Sequence, residues 1–86
     1  MKKKLENVLE DFLNNFDAKE INEYFANDFY SDWDVYLENG ASIDVLEYLN
    51  DAFCDIDINY RNTNMFENKV FNALHSALKY YKENHK

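Results

Sequence analysis

Asp44, Glu47, Asp51 and Asp55 recur at steps of three, four and four residues, with no Lys or Arg between them. On a helix that spacing lines all four carboxylates along one face, opposite Leu46 and Leu49. Like charges four apart oppose a helix by roughly 0.2–0.5 kcal/mol per pair. A face selected for solubility alone would mix the signs and gain from each pair. Such a row is either a solvated face or a surface that attracts cations. Asp55, Asp57 and Asn59 are spaced like the start of a calcium loop, but the sixth position is Tyr60 where Gly is needed, and the twelfth is Phe66 where a bidentate Glu is needed. Paired carboxylates could do acid–base work, yet a small helical domain offers little room for a deep pocket. His75, His85 and Cys54 have no metal-ligand spacing, and Ser31, Ser42 and Ser76 lack the context of an activated nucleophile. The expectation is a chain that is not an enzyme and needs no cofactor or metal.

The row belongs to a larger asymmetry. Between Lys19 and Arg61 there are eleven Asp or Glu residues and no Lys or Arg, while Lys2 to Lys4, Lys79, Lys82 and Lys86 sit at the two ends of a chain of net charge −8. Charge of one sign concentrated in this way raises a potential of several kT over its surface, which predicts a strongly basic partner. Direct nucleic-acid binding is disfavoured, because phosphates would meet a carboxylate field. Tyr30, Asp32, Trp33, Asp34 and Tyr36 mix aromatics with acids and contain no base, a composition typical of interface anchors. Asp28 and Asp32 project into the apolar stripe of Ile21, Phe25 and Phe29 on a straight helix. A buried unpaired carboxylate is costly, so the helix must turn, the pair must lie at the core's rim, or the acids must meet cations.

The elements that position these residues read as helices. The 86 residues, 47% apolar with seven Phe, seven Tyr and one Trp, suffice for one domain with a modest core. No Pro and a single Gly leave little to interrupt helices. Leu5, Val8, Leu9, Phe12, Leu13 and Phe16 form a first apolar stripe. Asp17 and Glu20 read as the capping box of a second helix carrying Ile21, Tyr24, Phe25, Phe29 and Trp33, which ends before Gly40. Ser42 caps a third, with Val45, Leu46, Leu49, Ala52, Phe53 and Ile56 inward. Asp57 to Asn64 reads as a connection. Asn64 and Glu67 open a fourth helix that buries Phe66, Val70, Phe71, Leu74, Ala77, Leu78 and Tyr81. The expected fold is all-α: one domain over residues 1–86, a small antiparallel four-helix bundle. Glu6, Glu10 and Asp11 follow the initial lysines, so no export signal is expected, and no apolar run approaches the ~20 residues of a membrane span. A lone Cys54 fits a reducing compartment. The expected location is the cytoplasm.

Three segments carry a resemblance: Phe25-Ala-Asn-Asp-Phe-Tyr, the run Val45-Leu-Glu-Tyr-Leu-Asn-Asp-Ala-Phe-Cys-Asp-Ile-Asp-Ile-Asn-Tyr60, and Glu67 to Tyr81. In that order they resemble the colicin D-type immunity proteins, including those of contact-dependent growth inhibition systems. The resemblance implies a small acidic helical bundle, monomeric when free, that binds the nuclease domain of a cognate toxin, commonly an RNase that cuts tRNA. Carboxylates then cover the toxin's basic active site in place of RNA phosphates, with Asp55 or Asp57 at the family's acidic turn. The residues expected at the interface are Asp28, Tyr30, Asp32, Trp33, Asp34, Glu47, Tyr48, Asp51, Asp55, Asp57 and Tyr60. Two other readings compete: a phage-encoded acidic inhibitor of a host nucleic-acid-binding defence protein, of anti-CRISPR type, and a regulatory bundle that homodimerises through Tyr30, Trp33 and Tyr36.

Overall fold

Among the described residues helix follows helix, with no strand: α1 (Leu5–Asn15), α2 (Ala18–Asn27), α3 (Phe29–Glu38), α4 (Ile43–Asn59) and α5 (Phe66–Asn84). These come from a computed structural model that describes residues 4–84; Lys2, Lys3, His85 and Lys86 lie outside the described residues. The all-helical expectation holds, but the four helices expected are five. The second breaks at Asp28 (φ −114°, ψ −17°), whose N–H donates to Tyr24 O at 2.8 Å while its own carbonyl takes the Ser31 N–H at 3.1 Å, three residues on. A straight helix would have carried two carboxylates into the apolar stripe. The tightened turn leaves Asp28 exposed and re-aims α3 so that Phe29 and Tyr36 are buried.

The caps explain most other boundaries. Asp17 Oδ1 accepts from Glu20 N–H at 2.9 Å and Glu20 Oε1 accepts from Asp17 N–H at 3.1 Å, which completes the expected capping box. Ser42 Oγ accepts the Val45 N–H at 3.2 Å and starts α4. Asn64 does not start α5. Instead the Thr63 hydroxyl takes the Met65 N–H at 3.2 Å and donates to Tyr60 O at 3.0 Å, so the first helical bond runs from Lys69 N–H to Met65 O at 2.9 Å. Helix α4 also outlasts its expected end at Ile56 by three residues, through Asn59. Asn59 Nδ2 bonds Asp55 Oδ1 one turn back at 2.7 Å, and Asp57 is held by a neighbouring helix.

After α3, Gly40 adopts φ +100°. Ala41 N–H donates to Tyr36 O at 2.9 Å and Gly40 N–H to Leu37 O at 3.2 Å, the paired bonds of a Schellman cap. A Cβ at Gly40 would meet no atom within 4 Å, so the cost of a side chain there is conformational alone. Gly40→Ala is expected to lower unfolding free energy by about 1–2 kcal/mol with an unchanged m-value, measured by urea melts.

Helix α5 packs against α1, α2 and α4, and α2 packs against α3, α4 and α5. Leu9, Ile21, Phe29, Leu46, Leu49, Val70 and Leu74 are fully buried where they meet. Phe12, Tyr24, Phe25, Phe29 and Phe53 form a contiguous aromatic cluster, with Phe25 stacked on Phe53 at 4.0 Å between centroids.

At the edge of the core a polar chain runs Asp32–Tyr24–Tyr36. The Tyr24 hydroxyl donates to Asp32 Oδ2 at 2.6 Å, and with its one proton so used it accepts from the Tyr36 hydroxyl at 2.5 Å. Burial raises Tyr24 far above the ordinary phenol range, and the proton it donates to Asp32 pushes the same way. Burial also pushes Tyr36 up to about 12, and the charge of Asp32 pushes the same way. Tyr81 is pushed up to about 12 by burial and then by the charge of Glu6. The folded state therefore keeps protons that the unfolded chain releases near pH ~10. Their stabilising contribution is full below that pH and is lost as pH rises through about 12. Urea midpoints followed upward from about pH 8 are expected to hold until about pH 10 and then fall, with a shallower fall in Tyr81→Phe.

Candidate functional site

Helix α4 turns Leu46, Leu49 and Phe53 into the core, so the opposite arc faces solvent. Asp44, Glu47, Asp51 and Asp55 all lie exposed on that arc. Eleven helical steps of about 1.5 Å spread the four carboxylates over about 16 Å. Among the described residues, none of the four makes an ion pair. The other polar contact of the row is the Asn59 amide on Asp55. Apolar side chains stand among the acids: Ile43 is 55% exposed, Tyr48 42% and Ile58 79%. The arc thus combines uncompensated negative charge with surface that gains from being covered.

The candidate residues do not share one face. Glu47, Tyr48, Asp51 and Asp55 share this outer arc. Asp57 lies on the flank of α4 that faces α2, where its Oδ1 accepts from buried Asn22 Nδ2 at 3.1 Å and lies 3.7 Å from Arg61 Nη1. It lines a hollow of about 190 Å³ with Phe25, Asn50, Cys54 and Tyr30, so it ties helices together at the edge of the acidic surface. Tyr30 is 65% exposed and stacked on half-buried Trp33 at 6.1 Å, which in turn packs edge-on to Phe29. Asp28 and Asp34 are exposed beside them. Asp32 is half-buried and its Oδ2 is committed to Tyr24. Tyr60 is half-buried beneath Lys69, whose Nζ lies 4.7 Å from the ring centroid.

Lys69 shares a hollow with Asp55 at the edge of the row, and the other described basic side chains lie farther off. Lys79, Lys82 and His75 line a shallow groove with Glu10 between α1 and α5. The Arg61–Asp57 pair is solvent-exposed and i,i+4, a geometry worth little. Charge is therefore largely segregated, and no described lysine makes an ion pair with the α4 row. Ile43 and Ile58 were not legible as surface residues. Ile58 joins the acidic arc only because α4 continues past Ile56: two residues apart, the two isoleucines lie about 200° round the helix, so Ile56 is buried and Ile58 is exposed.

Among the described residues, no group of three or more His, Cys, Asp or Glu is placed to hold a metal ion, and no helix is long and apolar enough to cross a membrane. No protein-family model, curated protein or solved structure matches this chain.

Proposed function

We propose that this chain is an immunity protein of the colicin D type: a cytoplasmic antitoxin, monomeric when free, that docks the outer face of α4 on the basic active site of a cognate nuclease domain, an RNase that cuts tRNA. It acts as a binding protein and not as an enzyme. The scaffold is an antiparallel bundle, in keeping with links as short as Phe16–Asp17 between α1 and α2. One observation carries the reading: four uncompensated carboxylates on a rigid helix, interspersed with exposed Ile43, Tyr48 and Ile58.

A nuclease site must attract phosphates, so its lysines and arginines are arranged for a strand with a charge every ~3.4 Å. The α4 row offers about one charge per 5 Å along a straight rod, close enough to occupy such a site competitively. Long-range attraction raises the association rate, and the apolar side chains give the short-range burial that slows dissociation. Tyr30 and Trp33 extend the contact on the neighbouring α3 side.

The test is capture of the protein encoded immediately upstream, at low and at high salt, together with its cleavage of tRNA. A specific complex that weakens with salt and blocks cleavage is expected. Capture that salt does not weaken, or a complex that leaves cleavage untouched, would defeat the proposal.

A further inference from the structure

A groove runs along the seam of α4 and α5, left open because short side chains (Ala52, Ala73, Ser76, Ala77) meet there. Its two stretches share Tyr48 and Ser76 but differ in charge. The smaller, about 210 Å³, contains Asp55 and also Lys69, so the chain supplies its own cation there. The larger, about 310 Å³, is lined by Asp44, Glu83, Tyr48, Tyr80, Val45 and Ala77, with no cation among the described residues that line it. Val45 and Ala77 are buried and form its floor. Among the described residues, neither Asp44 nor Glu83 makes an ion pair.

The geometry points to this larger stretch as the receptacle for a single arginine side chain projected by the basic partner, an inference that rests on the function proposed above. Two carboxylates, two phenol rings and an apolar floor define the occupant by elimination. An anion is repelled. An apolar side chain would suit Val45 and Ala77 but would strip water from Asp44 and Glu83 and give nothing back. An ammonium carries the charge but is compact and strongly hydrated. A guanidinium is planar and weakly hydrated, stacks on tyrosine faces and presents a fork to carboxylates, while its methylenes cover the floor. The chain already uses the cation-over-tyrosine contact at Lys69 and Tyr60.

The probe is the capped tripeptide acetyl-Gly-Arg-Gly-amide, titrated into the full chain and followed by backbone-amide NMR. Lysine and neutral, isosteric citrulline replace the arginine in two control peptides. Saturable binding in the millimolar range is expected, with shifts confined to Tyr48, Ser76, Ala77 and Tyr80. The lysine peptide should bind about tenfold more weakly and the citrulline peptide not at all. Ser76→Leu, at an exposed position and without change of charge, should plug the groove and abolish binding; Glu83→Gln should weaken it. Equal responses to arginine and lysine, shifts spread along Glu47 and Asp51, or undiminished binding to both variants would overturn the inference. A captured nuclease with no saturable peptide binding would overturn the arginine site and leave the proposed function standing. Saturable, arginine-selective binding with no nuclease captured would support the site and defeat that function.

Discussion

Replacing Asp51 with lysine is expected to stabilise the fold while nearly abolishing binding to a basic nuclease domain. Asp51 sits at the middle of the α4 row, four residues from Glu47 and four from Asp55, and all three are exposed. Asp51→Lys turns two repulsive i,i+4 pairs into attractive ones, each worth about 0.2–0.5 kcal/mol in either sense, so the unfolding free energy should rise by about 1 kcal/mol. At an interface the same change places a cation against cations. Loss of a close charge pair typically costs about 2–5 kcal/mol, or roughly thirtyfold to several thousandfold in Kd. Glu10→Lys makes the same change in net charge on the α1–α5 side and should alter only long-range steering, which salt screens within about 10 Å. Urea melts and salt-dependent binding kinetics on the three proteins check this. If Asp51→Lys and Glu10→Lys bind alike, net charge matters and the α4 face is not the contact.

Much of the scaffold was legible because its signals are local. Asp17 with Glu20, Ser42, and Gly40 after Leu37 each satisfy orphan backbone groups within a few residues, and all three appear where the spacing put them. The break at Asp28 was visible only as a conflict, since the sequence could not choose between a turned helix, a rim position and a cation. The structure turns the helix, exposes Asp28 and leaves Asp32 at the rim. What hid Asp32's role is distance: Tyr24, eight residues earlier, and Tyr36, four later, become its network only once α3 is re-aimed across α2. The tie of Asp57 to α2 was hidden for the same reason, because its partner Asn22 is 35 residues away. The acidic row was read correctly as one face because helical period alone sets it. Its apolar companions were missed because they depend on where α4 stops.

The second large effect should come from Phe25→Ala, which is expected to cost about 3–5 kcal/mol. Phe25 is 5% exposed, stacks on Phe53 of α4 at 4.0 Å, and touches Phe12, Tyr24 and Phe29. A domain of this size has about 4–13 kcal/mol in total, so one truncation removes a large share and should lower Tm by on the order of 20 °C. Phe16 is the contrast: 39% exposed and edge-on to Phe12, its alanine variant should cost about 1 kcal/mol or less. The functional consequence follows from which helices the stack joins. Phe25 holds α2 to α4 beneath the acidic arc, yet no atom of it belongs to that arc. Binding by Phe25→Ala should therefore recover at low temperature, as the folded fraction recovers, with the wild-type salt dependence. Asp51→Lys should stay weak at every temperature at which it is folded. A Phe25→Ala protein that is folded by circular dichroism and still fails to bind would mean that the aromatic core, rather than the charged face it supports, makes the contact.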